Sequence, residues 1–216
     1  MSEFSVIAQI LIWVIPVLYA ITLHEVGHGW VAKQLGDNTA EFMGRLTVNP
    51  LKHIDPVGSI VVPLAMFFFS GFVFGWAKPV PVNWTNLKNR KRDMALVALA
   101  GPAANLLMIL FWLTLAKLFY SAAEQGNNIA QIILLMSWAG IIINSLLMIF
   151  NLFPLPPLDG SRVVFSLLPD KLAWKYAKLE PYGLIILVVL LISGVLGKVI
   201  GPLISGFEKI MYSLIV

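Results

Sequence analysis

His24-Glu25-Val26-Gly27-His28 closes an apolar run that begins at Phe4 and continues to Leu23. Two of the three histidines in the chain stand here, four residues apart around a carboxylate. Positions i and i+4 of a helix share a face, so the two imidazoles form a candidate metal-binding pair with a glutamate between them. Ionisable groups in so apolar a segment are costly and usually functional. The pair still requires a third ligand.

Beyond His28 the apolar character persists through Trp30, Val31 and Ala32, and Lys33-Gln34-Leu35-Gly36 supplies a basic, glycine-stopped end. Residues 4–35 therefore read as one helix, and His24, nine residues before Lys33, lies roughly 14 Å inside that basic end at about 1.5 Å per residue. Gly27 and Gly29 leave room for a neighbouring helix to approach closely.

Of the 216 residues, 59% are hydrophobic and 12% charged, a balance that belongs to polytopic membrane proteins. Five apolar segments stand out: Phe4 to Leu23, Val57 to Trp76, Met94 to Tyr120, Ile129 to Phe153 and Tyr182 to Ile200. As helices, each could cross a hydrocarbon core of about 30 Å. The net charge of +4 reflects basic loops, which favour the cytoplasmic side, and is no nucleic-acid signal. No Lys or Arg precedes Lys33, which argues against a cleaved signal peptide. Because cysteine is absent, any metal must be held by His, Asp or Glu.

Between the apolar segments, Glu41 to Val48 reads as a short strand, and Asn49-Pro50 and Asp55-Pro56 as turns with His53 between them. Residues 57–76 either span or re-enter. Re-entry, broken at Pro63 or at Gly71 and Gly75, keeps Arg45 and Lys52 on the same side as Lys78, Lys88, Arg90, Lys91 and Arg92, as the charge bias prefers. Lys78-Pro79-Val80-Pro81-Val82-Asn83 can form only a sheet edge, because each proline lacks an N–H. The next helix carries Ala100-Gly101-Pro102-Ala103-Ala104-Asn105, suited to close packing, with a carbonyl freed by Pro102. Three prolines in Asn151-Leu152-Phe153-Pro154-Leu155-Pro156-Pro157-Leu158-Asp159-Gly160 rule out a regular helix, so unwound backbone can aim Asn151 and Asp159. Helix resumes from Arg162 to Leu168, and the last span is followed by an interfacial tail over 201–216. The expected fold is thus an all-α polytopic membrane protein. It has about four transmembrane helices plus one re-entrant segment, or a fifth span, and short membrane-associated β-strands. It forms a single membrane-embedded domain over 1–216, with a core at 4–168 and a C-terminal span and tail at 180–216.

The histidine motif, the Ala100 to Asn105 run and Asn151-x-x-Pro154-x-Pro156-x-Leu158-Asp159-Gly160 stand in order on three apolar helices. Together they resemble the site-2 protease family of zinc intramembrane proteases, in the form of a minimal member without a PDZ domain. The resemblance implies that Asp159 joins His24 and His28 as the third ligand of one Zn2+ ion and that Glu25 is the general base. It further suggests that Asn151 holds substrate or the oxyanion, with Asn105 nearby. Two features depart from the simplest pattern: no span precedes the histidine motif, and residues 49–83 form a longer insertion.

On that reading the chain hydrolyses peptide bonds in or near transmembrane segments of membrane-protein substrates. Its expected setting is the plasma membrane of a prokaryote, with the active site toward the cytoplasmic side. Such a substrate must unwind before its peptide bond is accessible, and strand addition along Arg45 to Val48 or Lys78 to Val82 could hold it extended. Asn105 and Asn151 are either substrate contacts or helix-packing hydrogen bonders. His53 is either a turn contact or an extra ligand or gate over the metal. A divalent-metal transporter and a non-catalytic membrane scaffold are the competing functions. The glutamate between the histidines and the lack of paired half-helix repeats favour hydrolysis.

Overall fold

The computed structural model describes residues 5–62, 64, 65, 68, 75 and 77–215. Among them the regular structure is helical. The first helix, α1, runs Val6–Gln34 without interruption through the histidine motif. Ser5 caps it by accepting from the Ala8 N–H. A short α2 (Thr39–Phe42), a 3-10 turn at Pro50–Lys52 and a π-helical stretch at Val57–Val61 follow. Two long helices come next, α3 (Arg90–Glu124) and α4 (Asn128–Asn151). Asp93 accepts from the Asn89 N–H ahead of α3, and the Asn127 side chain accepts from Ile129 and Ala130 at the start of α4. The C-terminal part holds α5 (Asp159–Leu167), α6 (Asp170–Ala177), α7 (Glu180–Ile192) and α8 (Val195–Ser213).

Helices α1, α3 and α4 are each long and apolar enough to cross a membrane, and α7 with α8 forms a pair bent by 76° that could make a fourth span. Their outward faces carry exposed leucine, isoleucine and phenylalanine, as lipid contact requires. α3 packs along both α1 and α4, and its Ile109, Trp112 and Ala116 form a core with Ile141 of α4.

Three expectations change. No strand forms among the described residues: Glu41 and Phe42 end α2, and 43–48 is turn and irregular chain. The Gly44 and Arg45 N–H groups bond back to the Glu41 and Ala40 carbonyls of α2, so the backbone there turns and does not extend. The last span does not run unbroken to Ile200. Gly194 adopts φ +71° and separates α7 from α8, a left-handed conformation that glycine accepts at little cost. The segment expected as an interfacial tail is helical, and it returns to the bundle so that Met211 and Ile215 enter the core with Ile109 and Trp112. The break expected at Pro63 or Gly71 in the re-entrant segment lies outside the described residues, and Gly75 is irregular.

Candidate active site

His24 and His28 face α3 and the start of α5. Their Nε2 atoms lie 3.1 Å apart, and Asp159 Oδ2 is 3.2 Å from His24 Nε2 and 3.3 Å from His28 Nε2. Among the described residues these three form the one group of His, Asp and Glu side chains whose ligand atoms converge. A tetrahedral zinc with bonds of about 2.0–2.1 Å has ligand-to-ligand edges of about 3.3 Å, which is the size of this triangle.

The hydrogen bonds behind the triangle select the tautomer of each neutral ring. His28 Nδ1 lies 2.7 Å from the Val97 carbonyl, and His24 Nδ1 lies 2.6 Å from Asn105 Oδ1. Both partners are acceptors, so both Nδ1 atoms are donors, and in the neutral imidazoles both Nε2 atoms present lone pairs inward. Asp159 Oδ2 is buried and has no hydrogen-bond partner. With both rings neutral, three lone-pair donors converge on one point, the arrangement a divalent cation requires. The donor set of two imidazoles and one carboxylate suits zinc.

Local structure explains the convergence. Val97 lies within two turns of Pro102, where the ladder of α3 is interrupted because proline has no N–H to give Ala98. Gly101 sits where the rings approach α3: a Cβ built on it would be 2.3 Å from His28 Nε2. Asp159 is the first residue of α5, after an irregular stretch from Leu152. That stretch is clamped on two sides. A Cβ on Gly160 would meet the Leu152 carbonyl at 2.2 Å, and one on Gly183 of α7 would meet the Pro156 carbonyl at 2.2 Å. Tyr176 Oη also donates to the Pro154 carbonyl at 3.0 Å. The C-terminal helices therefore buttress the loop that delivers Asp159.

Glu25 is half-buried, and its Oε2 accepts from the Val80 N–H at 2.7 Å. The chain at 78–83 is irregular and already committed: Lys78 N donates to the His53 carbonyl, Arg45 Nη2 donates to the Lys78 carbonyl, and Asn83 N donates to Asp37. Pro79 and Pro81 have no N–H. Substrate pairing along Lys78 to Val82 would therefore have to displace bonds the chain makes with itself.

The other sequence candidates are placed as follows. Asn105 is fully buried, and its amide is spent on His24, Ala20 and Asn144, so it stands behind the His24 ring. Asn151 is half-buried and donates to the Leu147 carbonyl of its own helix at 3.0 Å. His53, 2% exposed, does not join the ligand group. Its Nε2 donates to the Thr47 carbonyl at 2.9 Å and its backbone N–H to the Pro50 carbonyl, a buried turn contact, while its Nδ1 is buried without a hydrogen-bond partner.

Sequence reasoning missed Asn144, the Val80 amide and the Val97 carbonyl. Asn144 was detectable as an amide in mid-helix of an apolar run, two turns before Asn151 on the same face. The two backbone groups carry no mark in the sequence.

Residues 120–193 match the family model described as Peptidase family M50. A Bacillus subtilis (strain 168) protein named "Putative zinc metalloprotease YwhC" is 36% identical over 198 residues, covering 89% of this chain and 85% of that one. Two mycobacterial proteins, both named "Putative zinc metalloprotease Rip2", also match. The one from Mycolicibacterium smegmatis is 32% identical over 84% of this chain and 66% of its own length, and the one from Mycobacterium tuberculosis (strain H37Rv) is 27% identical over 82% and 64%. No solved structure matches. The chain belongs to peptidase family M50, the site-2 protease family of membrane zinc metalloproteases that its three motifs resemble.

Proposed function

We propose that this integral membrane protein is an intramembrane zinc endopeptidase that cleaves membrane-protein substrates in or near their transmembrane segments. The supporting observation is the triangle of His24 Nε2, His28 Nε2 and Asp159 Oδ2, with edges of 3.1–3.3 Å. These three residues hold one Zn2+ ion. Bound there, zinc supplies Lewis acidity and a water whose pKa is lowered toward about 7.

Glu25 follows His24 in the helix and lies beside the ligand triangle. It accepts the proton of the attacking water and returns it to the leaving amine. The Val80 N–H holds one carboxylate oxygen of Glu25 and leaves the other for this work. Asn151, at the end of α4 where the chain unwinds toward Asp159, offers an amide to the substrate carbonyl. His24 lies well inside α1, so the substrate must present extended chain at membrane depth, because helix turns shield a peptide bond.

The basic loops around Arg45, Lys52, Lys78 and Lys88 to Arg92 support a cytoplasmic orientation of this end of α1, in a prokaryotic plasma membrane. The Lys91–Asp170 ion pair at 2.6 Å joins that basic cluster to α6.

The test uses purified protein and its Glu25→Gln variant, assayed for bound zinc and for cleavage of a single-span substrate in lipid. Zinc retained with cleavage reduced by about 100-fold or more is the expected result. Cleavage unchanged in Glu25→Gln would overturn the assignment, and metal flux without cleavage would point to a transporter.

A further inference from the structure

We infer that Asn144 on α4 is a positioning residue for the metal centre, holding His24 in the tautomer and ring orientation that direct its Nε2 lone pair to the cation. The inference rests on His24 being a metal ligand, as proposed above.

The polarity of the chain of bonds is set from its far end. The Gly140 carbonyl can only accept, and Asn144 bonds it at 2.8 Å, so that atom is the Asn144 amide nitrogen. Asn144 Oδ1 is then the acceptor that faces Asn105, and it takes an N–H from Asn105 Nδ2 at 2.9 Å. Asn105 Nδ2 gives its second hydrogen to the Ala20 carbonyl at 3.2 Å. Asn105 Oδ1 is left to accept from His24 Nδ1 at 2.6 Å. In the neutral ring the proton is therefore held on Nδ1, and Nε2 keeps its lone pair.

Flipping Asn105 would set its oxygen against two acceptors and its NH2 group against the His24 N–H. Both asparagines are fully buried, so water does not soften that mismatch. The same bonds tie α1 at Ala20 and His24, α3 at Asn105 and α4 at Asn144 and Gly140. Without Asn144, only the Ala20 carbonyl opposes a flip of Asn105 coupled to the other His24 tautomer.

A hydrogen bond serving helix packing alone would not need this polarity, which separates the two roles experimentally. Zinc affinity is measured by competition with a chromogenic chelator on the full-length protein, and the visible spectrum of the Co2+-substituted protein reports the ligand field. Asn144→Leu should weaken zinc binding by about 10–100-fold and shift the cobalt bands. Asn144→Asp should restore most of the affinity, because as a neutral acid it donates to Gly140 and accepts from Asn105. Should Asn144→Leu fail to fold, Asn144→Ser is read the same way. Its hydroxyl can bond back within the helix, as Ser145 does to Ile141, but is too short to reach Asn105. Zinc affinity within about twofold of the unaltered protein with unchanged cobalt bands overturns the inference, whatever happens to thermal stability, and so does a loss that Asn144→Asp does not rescue. Unchanged zinc affinity in His24→Ala overturns the ligand reading itself.

Discussion

Gly101 of α3 lies directly against His28 of α1: a Cβ at Gly101 would stand 2.3 Å from His28 Nε2 and 2.6 Å from His24 Cε1. The helix backbone itself forms one wall of the proposed metal site there, and the smallest side chain already overlaps both imidazoles. Gly101→Ala is therefore expected to push the imidazoles out of their triangle with Asp159. Alanine is a better helix former than glycine, so the fold should persist while zinc affinity falls by about 100-fold or more. Metal analysis alongside circular dichroism checks both halves.

Val80→Pro removes the N–H that Glu25 Oε2 accepts at 2.7 Å. Its neighbours Pro79 and Pro81 already favour extended backbone, so the segment tolerates the change. A charge-assisted bond restricts the carboxylate to one orientation, and its loss leaves the base loose. Zinc content should stay unchanged while kcat drops by about tenfold, measured on a detergent-solubilised substrate. Loss of zinc in this variant would show that the segment supports the ligands and not the base.

Asp37, fully buried just beyond the end of α1, accepts from the Thr39 backbone N–H and hydroxyl, from the Asn83 N–H and from Asn86 Nδ2. Burial by itself raises its pKa, but these four hydrogen bonds outweigh it and hold the carboxyl below the ordinary aspartate value. A carboxyl depressed in the folded state contributes stability that is complete above its unfolded pKa and is lost as pH falls through its folded pKa. Thermal stability should accordingly decline as pH drops below about 4, and Asp37→Asn should lose that component of the acid limb. At neutral pH Asp37→Ala leaves the Asn83 N–H without its partner and should cost about 1–3 kcal/mol, read from melting in detergent.

Removing the metal leaves three lone-pair donors opposed at 3.1–3.3 Å. A strong chelator should abolish cleavage, and Zn2+ or Co2+ should restore it. Relative to protein at a free zinc concentration of 100 times Kd, the stripped form should be less stable by about 2.7 kcal/mol. In Asp159→Ala, chelator and added zinc should produce no such difference in melting temperature.

Much of this protein is written locally. The run from Val6 to Leu23 and the i, i+4 spacing of His24 and His28 determine a membrane helix with two imidazoles on one face, because helix geometry alone places them. The three prolines after Asn151 determine that α4 stops there. The motifs on α1, α3 and the loop before α5 sufficed to identify the family before any contact was known.

What the local pattern could not decide is where backbone groups go. Whether 78–83 joins a sheet or caps Glu25 depends on which groups three-dimensional packing leaves unpaired, and periodicity is blind to that. The same holds for Glu41 to Val48, whose alternation resembles a strand but lacks a partner edge, and for the C-terminus, where hydropathy alone does not register the turn at Gly194 that sends α8 back against α4. Asn105 illustrates the division. Its cost inside a membrane helix was evident from its position, but its partners come from α1 and α4, so only the packed bundle decided that it serves His24. A buried amide must be satisfied, and tertiary structure alone determines by which groups.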